Sequence, residues 1–452
     1  MKIRRDILSR KTVYIETLGC SKNEVDSEIM RSILDKENFD YTTNPEIANI
    51  IIVNTCGFIE DAKEESIDAI FEMSKYKTDG KLEKLVLAGC LAQRYANELI
   101  KEIPEVDAIM GTGNIRDLNS ILLESSNTKK IIKKDDINSS YIEEVKRLPL
   151  SKTAYVRISE GCDNLCTYCI IPKLRGKHRS RKFEDIISEI TYLGKKGVKE
   201  IILIAQNTSD YGIDLYGEYS LYKLLDKIND VDNIEIIRLL YLYPDNIDDK
   251  LIKSIKRNGK VAHYLDIPLQ HISNNILKAM NRKTTKETIE NLISKLRKNI
   301  PDIILRTTFI IGFPGETDED FDELYNFIEN IKFDKLGVFS YSKEEDTPAF
   351  GMQNQIDELT KQERINKIME LQKNISEELM RNKIGLELSV LVEEFEEENL
   401  YVGRSYMDSP EIDGVIYINS NKDLELGEFY NVVITEYTEY DLIGDVIDES
   451  GK

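Results

Sequence analysis

Three apolar runs near the N-terminus, TVYIETLGC, NIIIVNTCGF and KLVLAGCLAQR, each meet a cysteine where the run stops. Continuous apolar runs of this kind suit strands buried on both faces, and their alternation with helical patterns predicts parallel β/α units. Cys20, Cys56 and Cys90 are then expected at the carboxyl ends of parallel strands, the edge of an open α/β sheet where ligands bind. A core cysteine is the ordinary alternative for any one of them. Three in the same kind of position argue against it.

Strand-like runs resume after a polar stretch, about residues 122–147, that reads as a linker. They are TAYVRISEGC, KEIILIAQNT, IEIIRLLYLYP, YLDIPLQH, IILRTTFIIGF and KLGVFSYS, with helical stretches between them. Six such units predict a full or partial parallel β/α barrel whose working edge lies at the strand carboxyl ends. In DEDFDELYNFIENI, Phe321, Leu324, Tyr325 and Ile328 share one helical face, with acids in the first turn where the helix dipole favours them. A helical connector over about 356–383 carries a stripe of Ile368, Leu371, Ile375 and Leu379. Five short alternating strands follow, the pattern of a small antiparallel OB-like β-barrel. The expected domains are 11–122, 148–380 and 384–450, an α/β multidomain architecture.

The other three cysteines, Cys162, Cys166 and Cys169, fall in CDNLCTYC, and none of the six is left over. No run approaches the roughly 20 apolar residues of a membrane span, and the start lacks a secretory h-region, so a cytoplasmic protein with no membrane partner is expected. Thiols stay reduced there, and grouped cysteines favour metal over disulfides. Three thiolates are one fewer than a closed tetrahedral site needs, so each set leaves a metal position open. C-x3-C-x2-C suits three irons of a four-iron four-sulfur cube, with the fourth free to be chelated by amino and carboxylate groups. The alternatives are zinc completed by His178, or a redox pair of Cys166 and Cys169.

Other features carry less. The basic loop of Lys173, Arg175, Lys177, His178, Arg179 and Arg181 suits carboxylates of a cofactor or substrate, or a solvated face. GFPGE brings Gly312 and Gly315 to a strand end, where the backbone approaches a ligand or simply turns. GTGNIR lacks the third glycine of a dinucleotide fingerprint and reads as a loop, and His263 and His271 read as structural. The net charge is −21, and residues 384–452 hold 18 acids against Arg404, Lys422 and Lys452. Such a module repels nucleic acid and attracts basic partners, unless its acids serve only solvation.

The CDNLCTYC loop resembles that of the radical S-adenosylmethionine superfamily. ETLGCSKNEVDSE, VNTCGFI, LAGCLAQRY, GCDNLCTYCIIPKLRGKHRSR and FIIGFPGET narrow the resemblance to the methylthiotransferases, over nearly the whole chain. It implies an N-terminal cluster domain, a radical domain and a C-terminal TRAM domain. It also implies a 4Fe-4S cluster on Cys162, Cys166 and Cys169 that binds and reductively cleaves S-adenosylmethionine, with Tyr168 near the adenine. Gly312 and Gly315 would lie beside the cofactor's methionine or ribose. A second 4Fe-4S cluster on Cys20, Cys56 and Cys90 would carry the sulfur to be transferred. One S-adenosylmethionine would supply the methyl group, and a second the radical.

AQNTSDYGIDLYG, LLYLYPDNI, DIPLQHISNNILKAMNR, SPEIDGVIYI and YDLIG are similar to the branch that modifies an aspartate β-carbon of a small-subunit ribosomal protein. The transfer-RNA branch usually carries QSGS where this chain has Gln270, His271, Ile272 and Ser273. Asn207 departs from the AQDT pattern of the ribosomal-protein branch. The implied partners are a basic small-subunit ribosomal protein or particle, S-adenosylmethionine and an electron donor. No catalytic residue beyond the cluster ligands is expected, because radical chemistry needs no general base at the target carbon. Two alternatives remain: the same chemistry on a transfer-RNA adenosine, and a non-enzymatic iron-sulfur or zinc protein that binds ribosomes.

Overall fold

The computed structural model describes residues 10–124, 130–134, 137–139, 141–143, 145–147 and 151–447. The chain forms two compact units. The first comprises Met1–Pro149, Glu160–Asn164 and Cys169–Leu193, and the second comprises the rest. No described helix is long and apolar enough to cross a membrane.

The first unit is built on strands Lys11–Thr17 (β1), Phe39–Tyr41 (β2), Ile50–Thr55 (β3), Lys84–Ala88 (β4), Ala108–Met110 (β5) and Ile131–Lys133 (β6). They pair in parallel in the order β2-β1-β3-β4-β5-β6. All of β3 and β4 is buried, as a central parallel strand requires, and Ile51, Val53, Leu85 and Leu87 join Ile70 and Ile109 in one core. The register sets Thr17 beside Asn54 and Asn54 beside Ala88. Cys20, Cys56 and Cys90 therefore follow the sheet at a common edge. β6 lies inside the stretch read as a linker. It pairs with β5 despite its polar flanks, because a three-residue edge strand needs few apolar side chains. Residues 125–129, 135–136, 140 and 144 of that stretch lie outside the described residues. So do 148–150 and 448–452, at the ends of the expected central and last domains.

Strand Thr153–Arg157 (β7) is followed by two-residue strands Ser159–Glu160 (β8) and Arg179–Ser180 (β9), which flank the cysteine loop in sequence. Glu200–Ile204 (β10), Ile236–Leu239 (β11), Val261–Asp266 (β12), Ile304–Ile311 (β13) and Lys335–Ser340 (β14) complete an open sheet ordered β14-β13-β12-β11-β10-β7. Every pairing is parallel, and the sheet stays open between its edge strands β14 and β7, so the barrel is partial. Helix Asp318–Ile331 begins with a Thr317/Asp320 capping box and buries Phe321, Leu324, Phe327 and Ile328, with Tyr325 at the margin.

On helix Glu358–Arg381 the buried stripe is Ile368, Gln372, Ile375, Ser376 and Met380. Leu371 and Leu379 stand aside from it, only half-buried. Gln372 and Ser376 belong there because they donate to the backbone carbonyls of Phe333 (3.0 Å) and Glu439 (2.7 Å).

Strands Glu387–Glu397 (β15), Leu400–Arg404 (β16), Ile416–Asn419 (β17), Phe429–Tyr437 (β18) and Leu442–Val446 (β19) close a barrel in the order β15-β16-β17-β19-β18. Its pairings are antiparallel except β17 with β19, which is parallel. The barrel is tied to the amino-terminal end of the open sheet by buried charge. Glu200, first residue of β10, accepts from Arg238 (2.8 Å) and from Arg404 (2.8 Å), and Arg404 also holds Glu393 (2.6 Å). Arg238 donates onward to the carbonyls of Tyr406 and Ser405, and Lys335 pairs with Asp408 at 2.9 Å.

Candidate functional site

All six cysteines are free thiols. In the first unit Cys20 caps helix Ser21–Ile33, Cys56 follows β3, and Cys90 lies in the first turn of helix Gly89–Arg94. The backbones come together through glycine: a side chain on Gly19, where φ is +88°, would sit 2.6 Å from Cys56 Cβ. Gly57 abuts the Leu91 backbone in the same way, at 2.7 Å. Ser66 Oγ accepts from Cys56 N–H (3.0 Å) and donates to its carbonyl (2.9 Å), fixing that strand end. Burial first, then the neighbouring Cys20, pushes the Cys56 thiol up to about 12. Burial likewise raises Cys90, against the pull of Arg175. Such thiols keep their protons until a cation replaces them, which is how a metal centre loads.

Arg175 supplies positive charge beside Cys90. It is buried and donates to Asp26 (2.8 Å) and Asn23 (2.7 Å), while Asn23 Nδ2 donates to Leu18 O and Thr55 O. Arg181 pairs with Asp185 and Glu189, each at 2.6 Å. These two members of the basic loop thus hold carboxylates of the chain itself, and form neither a ligand clamp nor a solvated face. The sequence showed their charge but not their distant partners.

Cys162 and Cys169 belong to the first unit, Cys166 and Tyr168 to the second. Cys162 N–H donates to Gly176 O at 3.1 Å, and Gly161 (φ +76°) faces Lys177 O so closely that a Cβ would lie 2.1 Å away. His178 Nε2 lies 3.1 Å from Ser180 Oγ. Among the described residues, no group of three or more His, Cys, Asp or Glu is arranged to hold a single metal ion. A cube spreads its thiolates over separate irons, and three thiols from one short loop suit it.

In the second unit the end of the run DIPLQHISNNILKAMNR grips this loop, a role its resemblance did not assign. Asn281 Nδ2 donates to Leu165 O (2.8 Å), Thr167 N–H to Met280 O (3.1 Å) and Thr167 Oγ1 to Ala279 O (2.9 Å), and Ala349 N–H donates to Thr167 O (2.9 Å). Arg282 donates to Tyr168 Oη (3.4 Å) and Pro268 O (2.9 Å), with its guanidinium 4.1 Å from the Tyr243 ring centroid. Tyr168 packs on the cluster of Ile276, Met280, Phe313, Tyr341 and Ala349.

Gly312 and Gly315 both have positive φ. The room left by the missing side chain at Gly312 holds the Lys361 stem, whose Cγ would be 2.3 Å from a Cβ, whereas the room at Gly315 is open. Glu316 accepts from Gly312 N–H (2.8 Å) and Arg364 (2.6 Å), and fully buried His271 lies 3.6 Å from it. His263 bonds Asp302 at 2.7 Å. Both histidines sit in structural contacts. Asn207 caps the turn Thr208–Asp210, accepting from Ser209 Oγ (2.7 Å) and from its N–H (3.2 Å). The first four residues of GTGNIR form a loop after β5, and Ile115 and Arg116 open the short turn Ile115–Asp117.

Three family models match: Uncharacterized protein family UPF0004 over residues 12–111, the Radical SAM superfamily over 156–328 and the TRAM domain over 384–447. A ribosomal protein uS12 methylthiotransferase RimO from Clostridioides difficile is 52% identical, covering 97% of this chain and 99% of its own. A RimO from Acetivibrio thermocellus is 49% identical, covering 98% of this chain and 100% of its own. The chain belongs to the RimO family of radical SAM methylthiotransferases. Among solved structures, the radical S-adenosylmethionine methyltransferase TsrM from Kitasatospora setae, with cobalamin and a [4Fe-4S] cluster bound, is 13% identical. It aligns over 75% of this chain and 77% of its own with a TM-score of 0.55. The cobalamin-dependent radical enzyme OxsB is 17% identical over 82% of this chain and 56% of its own, with a TM-score of 0.51. These two likenesses place the RimO fold among radical SAM architectures.

Proposed function

We propose that this chain methylthiolates the β-carbon of an aspartate in ribosomal protein uS12. The observation that carries the reading is two sets of three free thiols, one at the carboxyl edge of a parallel sheet and one in a C-x3-C-x2-C loop, in a chain about half identical to uS12 methylthiotransferases. Cys162, Cys166 and Cys169 hold one 4Fe-4S cluster, and Cys20, Cys56 and Cys90 hold a second. The functional domains are 11–122 for the second cluster, 148–380 for the radical reaction and 384–450 for partner binding. Bound in place, the two clusters and S-adenosylmethionine supply an electron, a hydrogen-abstracting carbon radical, a methyl group and a held sulfur.

The chain's own residues position these groups. Tyr168, packed on Met280 and Phe313, offers a flat face to the adenine. Open space at Gly315 admits the methionine or ribose, while Gly312 keeps the turn against Lys361. Arg175 keeps positive charge beside Cys90. A basic protein suits the C-terminal module better than RNA, because residues 384–452 hold 18 acids against three bases. The remaining partner is an electron donor, and a ribosomal substrate places the reaction in the cytoplasm.

The test is anaerobic reconstitution with S-adenosylmethionine and reductant, offering uS12, small subunits or transfer RNA, with mass spectrometry of each. The expected result is a methylthio mass gain on uS12 and about eight irons per chain from two cubes. A gain on a transfer-RNA adenosine alone, or stoichiometric zinc without iron, overturns the proposal. Gly19→Ala is expected to lower iron to about four per chain, because its Cβ would meet Cys56 at 2.6 Å. 5′-Deoxyadenosine formation should survive in that variant.

A further inference from the structure

Arg282 is buried, yet its bonding partners are all neutral: the Tyr168 hydroxyl, the Pro268 carbonyl and the Tyr243 ring. Its Nε is buried with no hydrogen-bond partner, and among the described residues no carboxylate is paired with it. Four other arginines of the second unit, three buried and one half-buried, are paired with carboxylates. Arg238 and Arg404 share Glu200, Arg364 holds Glu316, and Arg306 holds Asp266. A buried guanidinium without an anion is unfavourable, so its retention points to an anion that arrives later. Tyr168, Tyr243 and Cys166 lie within electrostatic reach of Arg282, which also pulls on the exposed Asp245 carboxyl without forming an ion pair with it among the described residues. Cys166 is the one among them that becomes an anion when it binds iron.

We infer that Arg282 is a positioning residue for the Cys162, Cys166 and Cys169 cluster: its fixed charge offsets the negative cluster at Cys166, and its bond to Tyr168 holds the loop in register. The inference rests on the cluster reading of that loop. A nearby positive charge favours the state with the extra electron, so it makes the cluster easier to reduce. The surrounding segment suits this role. Ala279, Met280 and Asn281 bond Thr167 and Leu165, so Arg282 follows a backbone already locked to the loop. Its planar fork reaches a hydroxyl and a carbonyl at once, while its face rests on Tyr243.

The experiment is a potentiometric titration of anaerobically reconstituted full-length enzyme, read on the EPR signal that S-adenosylmethionine perturbs. Arg282→Gln is expected to lower the reduced-to-oxidised ratio at a fixed potential at least tenfold, about 59 mV for one electron. Arg282→Lys, which keeps the charge, should stay near wild type. Unchanged potential in an Arg282→Gln variant with full iron content overturns the inference. If Arg282→Gln assembles no cluster, the lysine variant decides: recovery of iron and potential together supports the charge role, and failure of both overturns it. Iron content of the wild type reports separately on the cluster reading itself.

Discussion

Replacement of Cys166 by alanine is expected to reduce 5′-deoxyadenosine formation to the level of a control without enzyme. Cys166 is buried, and the next residue, Thr167, is bonded on three sides by Met280, Ala279 and Ala349. No neighbouring thiol can slide into its place, and a cube with two protein ligands loses its hold. Iron should fall from about eight to about four per chain. Cys20→Ala is the informative partner, since it should leave 5′-deoxyadenosine formation intact while methylthio transfer to uS12 disappears. The two roles are thereby separated in one assay. Cleavage of S-adenosylmethionine by the Cys166 variant would remove that loop from the mechanism.

Arg404→Ala is expected to be the most destabilising single change at the barrel, by about 3–5 kcal/mol, the cost of removing one partner from a buried ion-pair network, in which Glu200 would keep Arg238. Arg404 is almost wholly buried and holds both Glu200 and Glu393, as well as the Asp408 carbonyl. Arg404→Lys should recover only part of the loss, because an ammonium's three donors cannot reproduce the fork that serves Glu200, Glu393, Thr153 and the Asp408 carbonyl. Denaturant unfolding followed by Tyr fluorescence measures the cost, and a change below about 1 kcal/mol would assign the network to surface-like pairing. The same network predicts a pH effect. Burial alone would raise Glu200, but Arg238 and Arg404 hold it below its ordinary value of 4.5. Its stabilisation is then complete above that value and is lost as pH falls through the lowered one.

Much of the fold was legible because its signals are local. A run such as IIIVNT suits only a strand covered on both faces, and DEDF after Thr317 writes its own helix cap. Both cysteine sets could be placed because each cysteine follows a strand or occupies one short loop. β6, the parallel pairing of β17 with β19, and the polar stripe of Gln372 and Ser376 were not legible, since each depends on which backbone happens to lie opposite.

The sequence by itself determined the two thiol triads, the order of sheet, partial barrel and small barrel, and the acidity of the last module, because spacing and composition are properties of the chain. Only the tertiary structure decided what the arginines do. Arg404 reaches Glu200 across 204 positions and Arg175 reaches Asp26 across 149. Arg282 meets Tyr168 across 114 and, among the described residues, forms no ion pair with a carboxylate. A guanidinium's role is set by the dielectric and the partner around it, and those exist only after distant segments have packed.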